Sequence, residues 1–335
     1  MDISLTETLP RRTLDWQAFN QIPSSVWQAI LNEDNITINM DGLNFVDPDG
    51  LVWLTYIFRM RKMKGVNTYL TLPSKENQIS FLKYTEFDIY AQLYGVKIIN
   101  ELALYSDLKY TSKKHREINR LRHIDSTNVF NVTARVQSEL HDQLIDELKL
   151  PGFRQESYHI VSNFLEVIIE ILSNMSEYGK PSDMSEGGEG FASFVPMPSS
   201  YGGIKHSFSD LGLGFRHTML QKPIAEKYSS DLATDKGAIL LGMLYRKISS
   251  EERIVGLFPI LRTICAREGK LRIRSGGALV TLDLSSPEKR QKFEEGHNNA
   301  TTNWLESFCQ IQQLEPIPGT HIQLEMRFPK NGASF

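Results

Sequence analysis

An acidic and an amide side chain stand one helical turn apart at Glu170 and Asn174. They belong to a run from about Gln155 to Tyr178 that reads as one long helix, so both can reach one pocket. The helix is apolar on most sides, with Phe164, Leu165, Val167, Ile168, Ile169, Ile171 and Leu172, whereas His159, Asn163, Glu166, Glu170, Asn174 and Glu177 recur three or four apart as one stripe. Carboxylates on so apolar a helix must face solvent, a partner or a cavity. A second group, Asp210-Leu211-Gly212-Leu213-Gly214, follows an extended segment. Glycines two apart let a backbone approach a ligand or adopt positive φ, and a carboxylate accepts a hydrogen bond from an exocyclic amine. A third group, Pro318-Gly319-Thr320, leads into the last strand. Each is weak alone; the three together point to one ligand site.

The elements that must position them follow from periodicity. In the second half, Thr127–Arg135 alternates as a half-buried strand through Phe130, Val132 and Ala134, and Val136–Leu150 reads as a helix. After the long helix, stopped by Gly179 and Pro181, segments 190–196 and 203–209 are extended, and 232–248 and 254–267 are helical. Strands are expected at 270–274, 278–282 and 321–328, giving an α+β domain over 127–335. In the first half, strand 36–40, a helix from Leu51 to Lys64 and strand 66–72 form a βαβ unit, with a further helical stretch to about Lys83. This first domain, 1–110, carries an N-terminal extension that the pattern does not explain. Residues 111–126 are rich in Lys and Arg and read as a basic connector, without interleaved aromatic residues to stack on bases.

Composition narrows the function classes. A chain of 335 residues suggests two domains, and 41% hydrophobic with 23% charged residues is ordinary for a globular protein. A net charge of −3 gives no overall basic footprint for nucleic acid, and a nucleic-acid partner is not expected. The two cysteines, Cys265 and Cys309, cannot form a disulfide framework or a four-ligand zinc site, and the histidines show no metal spacing. No apolar run is long enough for a membrane span, and MDISLTETLPRR is unlike a signal peptide, so a cytoplasmic location is expected. No P-loop is present.

On the Glu170-x-x-x-Asn174, Asp210-x-Gly-x-Gly and Gly319-Thr320 groups, residues 127–328 resemble the GHKL ATP-binding fold of gyrase, heat-shock chaperone ATPases and histidine kinases, and most closely the anti-sigma-factor serine kinases. The resemblance implies ATP and Mg²⁺ as ligands, a two-layer α/β sandwich, Asn174 as magnesium ligand and Glu170 as general base. It also implies Asp210 as reader of the adenine amino group, Gly212 and Gly214 as giving the ring room, and Thr320 as support at the adenine end. A second glycine box is reduced to Arg253-Ile254-Val255-Gly256-Leu257, where Gly256 precedes a helix N-terminus that favours phosphate and Arg253 is either a charged contact or a surface arginine. Tyr178 stands where the family commonly has a His or basic residue. Glu139-Leu140-His141-Asp142 has the look of a phosphoacceptor box, but it lies on a helix of the ATP-binding domain itself and reads as a surface histidine.

The βαβ unit, with Asp47-Pro48-Asp49-Gly50 before its helix, resembles a STAS domain. Asp49 occupies the position where such domains often carry a phosphorylated Ser or Thr; it is either a built-in charge or a helix N-cap. The combined resemblance implies a Mg-ATP-binding regulatory protein, an ATPase or serine/threonine kinase, whose nucleotide state controls a protein partner through partner switching. The alternative is a non-catalytic nucleotide-sensing or scaffold module. Residues 215–256, with Lys222, Lys227, Lys236, Arg246 and Lys247, are the expected lid. Related ATP domains often pair, so a homodimer is compatible with the resemblance, although no heptad seam is present.

Overall fold

A helix that is apolar on every side has to be a core helix, and the run Leu51–Phe58 builds one. The computed structural model of the protein describes residues 1–9, 12–100, 121–147, 154–179, 188–196, 203–248 and 257–327. The chain divides into two units, residues 1–122 with 191–194, and residues 123–190 with 195–335.

The first unit contains, in order, β1 (Asp2–Ser4), α1 (Leu5–Thr8), β2 (Thr13–Leu14), α2 (Trp16–Asn20), α3 (Ser24–Asn32), β3 (Asn35–Asn39), β4 (Phe45–Val46), α4 (Pro48–Met63), β5 (Asn67–Thr71), α5 (Glu76–Tyr84), α6 (Phe87–Leu93) and β6 (Lys97–Ile98). Four strands form a parallel sheet of order β1-β3-β5-β6, with Ile3 opposite Ile38, Ile38 opposite Leu70 and Leu70 opposite Ile98. Parallel neighbours need crossovers, which α1–α3, α4 and α5–α6 supply. Every residue from Leu51 to Phe58 is buried in α4. The N-terminal stretch that the sequence pattern left unexplained closes this core. Trp16, Phe19 and Trp27 pack on Trp53 at ring-centroid separations of 5.5, 5.2 and 5.9 Å.

Helix α4 begins three residues earlier than expected. Asp47 is its N-cap, accepting the Asp49 N–H at 3.1 Å, and Pro48 opens the first turn. Asp49 is therefore not the cap, and it is wholly buried rather than displayed. Gly65, at φ +70°, follows the helix end as expected. The cations of the last turns do more than complement the helix dipole. Arg61 is fully buried, and its guanidinium donates to the carbonyls of Ile30 (2.7 Å), Glu33 (3.0 Å) and Asn67 (2.8 Å) and to the Thr68 hydroxyl (2.9 Å).

From Arg122 onward the elements are β7 (Arg122–Asp125), α7 (Val129–Glu147), α8 (Arg154–Tyr178), β8 (Glu189–Pro196), β9 (Gly203–Asp210), α9 (Gly214–Leu220), α10 (Asp235–Ile248), α11 (Phe258–Ala266), β10 (Lys270–Asp283), α12 (Pro287–Gly296), α13 (Thr302–Glu306) and β11 (Cys309–Arg327), all in the second unit apart from Arg122 and the middle of β8. The sheet order is β10-β11-β9-β8-β7, and β10–β11 and β11–β9 are antiparallel. The protein is thus a mixed α/β chain, with a four-stranded parallel sheet, a two-stranded parallel pair β2–β4 and a five-stranded sheet that contains antiparallel pairs.

Two expectations are corrected. The strand expected over 127–135 is the start of α7, and the strand lies earlier, at β7, inside the stretch read as a connector. Asp125 explains the shift: its Oδ1 accepts the N–H groups of Thr127 (2.8 Å) and Asn128 (2.9 Å), ending the strand and starting the helix. Phe130, expected half-buried, is 83% exposed, whereas Val129 and Val136 are buried at helical spacing. Second, strands 270–274 and 278–282 are one strand, β10, with register irregularities at Gly276, and β11 runs for 19 residues. Pro316 and Pro318 fall where the register with β10 shifts, so the ladder tolerates them. Within the stretch expected as a lid, the described residues 215–248 contain most of α9 and all of α10, with Leu232, Leu241 and Tyr245 buried in one apolar cluster. Among the described residues, no helix is long and apolar enough to cross a membrane.

Candidate functional site

The end of β9 delivers Asp210 to a cleft bounded by the C-terminal half of α8, the β9–α9 junction, α10, the start of α11 and β11. The empty space in the cleft, open solvent at its mouth included, is about 730 Å³. Its lining is mainly apolar, with Asn174, Tyr178, Asp210, Lys222 and Thr320 among the few polar groups. The three sequence groups therefore meet at one place, although Asp210 and Thr320 are 110 residues apart.

Asp210 is the best-held group there. Its Oδ1 accepts the Gly212 N–H at 2.9 Å and the Thr320 N–H at 2.9 Å. The Thr320 hydroxyl adds a further hydrogen bond. Desolvation nevertheless outweighs these donors and pushes the Asp210 carboxyl up to about 6. A carboxylate offers about four acceptor positions, so protein donors do not exhaust it.

The glycines serve backbone packing more than room for a ligand. Gly212 is absent from the cleft wall, and a Cβ on it would lie 2.4 Å from the Tyr178 carbonyl oxygen. Gly214 does line the cleft, at φ +82°, and a Cβ there would lie 2.5 Å from Ser275 Oγ. Ser275 is a residue the sequence did not single out. Its Oγ accepts the Phe215 N–H at 2.9 Å and donates to the Gly319 carbonyl at 3.3 Å, joining the start of α9 to the turn before Thr320. Behind that turn, His321 Nε2 lies 3.2 Å from the Pro318 carbonyl oxygen. No local pattern marks Ser275 or His321, since each matters through a partner distant in sequence.

Helix α8 separates its polar stripe into different environments. Glu166 and Glu177 are exposed, Glu170 is 7% exposed, and Asn174 is half-buried. The side chains of His159 and Asn163 lie outside the described residues. Asn174 Nδ2 donates to Glu170 Oε1 at 3.0 Å, so the expected pair is together. Of the pair only Asn174 is among the residues that line the cleft; Glu170, buried one turn earlier on α8, is not. Arg253 and Gly256 lie outside the described residues, as does the side chain of His141. Among the described residues, no group of three or more His, Cys, Asp or Glu is placed to hold a metal ion.

Of the expected basic residues, Lys236 pairs with Glu306 at 2.8 Å and Lys227 lies against the Tyr228 ring. Lys222 alone of these lines the cleft. The side chains of Arg246 and Lys247 lie outside the described residues. Comparison of the chain with protein-family models, curated proteins and solved structures finds no match.

Proposed function

We propose that residues 123–335 form a Mg-ATP-binding module of the GHKL type, resembling the anti-sigma-factor serine kinases. Its role is regulatory, with the nucleotide state controlling protein contacts through a STAS-like first unit. The observation that carries this reading is the seating of Asp210. A desolvated carboxyl, fixed by the Gly212 and Thr320 N–H groups at the wall of a mainly apolar cleft, suits an exocyclic amine on a flat apolar ring.

The residues present also fit a magnesium–phosphate group. The Asn174 amide nitrogen is committed to Glu170, which leaves Asn174 Oδ1 as the oxygen donor at the cleft. One protein oxygen suffices where phosphates and water complete the shell of a hard cation. Mg²⁺, when bound, supplies neutralisation of phosphate charge. Asp210 binds and orients the base, Thr320 holds Asp210, and Glu170 fixes the Asn174 amide.

Glu170 also favours the second reading, nucleotide sensing without turnover. Its carboxylate is buried, accepts from Asn174 and does not line the cleft. A general base has to reach the nucleophile directly or through one water. The STAS-like reading of the first unit is supported by its parallel βαβ arrangement and by the Asp47-Pro48 start of α4. The burial of Asp49 argues against control through that side chain.

Isothermal titration of the full chain with Mg-ATP, alongside Asp210→Ala, and an ADP-release assay with Glu170→Ala test both readings. Binding by the wild type that Asp210→Ala abolishes supports the nucleotide site. ADP release lost in Glu170→Ala supports the ATPase or kinase. Binding with no release supports the sensor, and no binding by the wild type overturns the reading.

A further inference from the structure

Lys222 follows α9 in the first turn beyond the helix, where its N–H reaches the Met219 carbonyl at 3.1 Å. Its ammonium lies 2.9 Å from the Tyr178 hydroxyl and 4.5 Å from the centroid of the same ring. It is the one cationic side chain in the described wall of the cleft. Among the described residues, no carboxylate forms an ion pair with it, in contrast to Lys236 with Glu306. A lysine has three N–H donors, and Tyr178 takes one.

Tyr178 suits the task of presenting this cation. The ring is held by α8, half-buried in the same wall. Burial raises the phenol pKa, and a hydrogen bond from the hydroxyl to Glu177 adds to the effect. The phenol therefore stays neutral, and it steers the ammonium without neutralising it. A half-buried ammonium in a mainly apolar cleft, with no direct ion pair among the described residues and with Glu177 reached only through the shared hydroxyl, can receive an anion, and an ammonium acts on phosphate as a point charge.

We propose that Lys222, carried on Tyr178, is the anion-reading residue of the cleft and sets its preference for a ligand with a phosphate chain over the bare nucleoside. The inference rests on the nucleotide reading of the same cleft, but it extends to a polyphosphate without a base. It gives Tyr178 a purpose: the tyrosine holds in place a cation contributed by another part of the chain.

The test is titration of the full chain and of Lys222→Gln, Lys222→Arg and Tyr178→Phe with Mg-ATP, adenosine and inorganic tripolyphosphate. Lys222→Gln is expected to bind ATP and tripolyphosphate roughly 10- to 100-fold more weakly, with adenosine unchanged. Lys222→Arg is expected to retain most of the affinity, and Tyr178→Phe to lose less than Lys222→Gln. Unchanged ATP affinity in Lys222→Gln, or an equal loss for adenosine, overturns the proposal. Should the wild type bind tripolyphosphate in a Lys222-dependent manner but not adenosine, the anion site stands and the adenine reading fails. A wild type that binds none of the three overturns both.

Discussion

Ser209 and His321 face each other across the β9–β11 pair, both wholly buried, with Ser209 Oγ 2.9 Å from His321 Nδ1. The other ring nitrogen, Nε2, is 3.2 Å from the Pro318 carbonyl oxygen. A carbonyl only accepts, so Nε2 carries the proton and Nδ1 accepts from the Ser209 hydroxyl. The ring thus fastens the turn whose next residues, Gly319 and Thr320, hold Asp210. Ser209 and Asp210 are adjacent, as are Thr320 and His321, so one strand pair serves the cleft with one face and this brace with the other.

His321→Ala should lose this brace. We expect about 2–4 kcal/mol lower stability, and weaker Mg-ATP binding than in the wild type at a denaturant concentration far below the transition. His321→Asn, which keeps one donor and one acceptor, should recover part of the binding. Chemical unfolding and titration calorimetry on the two variants check both.

The buried histidines should make the protein acid-sensitive. Burial lowers the pKa of His321 well below 6.5, helped by nearby Arg274, and lowers that of His206 to about 3. Both are neutral when folded, so their contribution is complete above pH 6.5 and is lost as pH falls below it, because the unfolded chain takes up the protons. Each costs about 1.4 kcal/mol per pH unit in that range. Asp210 acts in the opposite sense, since its raised pKa makes the folded state bind the extra proton between about pH 4 and 6. Two histidines against one carboxyl leave a net loss, read as a falling urea midpoint from pH 7 to pH 5.

Asp210→Asn should separate function from stability. Ionised Asp210 costs the folded state up to about 3 kcal/mol at neutral pH, a cost that the neutral amide avoids. The variant should lose Mg-ATP binding while its stability at pH 8 is equal to or above that of the wild type. A strongly destabilised variant would argue that the carboxylate is held for structural reasons.

Gly319→Ala tests the turn itself. Gly319 sits at φ +79°, and a Cβ there would lie 2.1 Å from the Asp210 carbonyl oxygen, so at least about 2 kcal/mol should be lost together with nucleotide affinity. Gly65, at φ +70° with open space around it, should cost only about 1 kcal/mol on the same change. Thermal unfolding of the two variants gives the comparison.

Arg61→Met should damage the first unit. It removes a buried guanidinium and leaves the carbonyls of Ile30, Glu33 and Asn67 without that donor, at a cost of roughly 3–5 kcal/mol. Tryptophan fluorescence during urea unfolding is a suitable probe, because Trp16, Trp27 and Trp53 all lie in this core.

Periodicity and local chemistry alone determined the long helix α8, the βαβ start of the first unit and the end of α4 at Gly65, whereas the grouping of Asn174, Asp210 and Thr320 came from the family resemblance. The first three rest on short-range properties: a 3.6-residue repeat, a capping residue, glycines at fixed offsets. The same logic failed at 127–135, where a few alternating apolar residues fit strand and helix equally and the Asp125 cap decided the matter. It failed again at β10 and β11, where two short strands at 270–274 and 278–282 are one strand with a register shift at Gly276, and β11 starts well before 321. Tertiary structure alone decided that Asn174 but not Glu170 lines the cleft, that Asp49 is buried, that Ser275 and His321 brace the Asp210 turn, and that Lys222 rather than its neighbouring lysines reaches the cleft. Each of these depends on which distant segment packs alongside. A hydrogen bond spanning 110 residues, like that from Thr320 to Asp210, leaves no periodic trace in the chain.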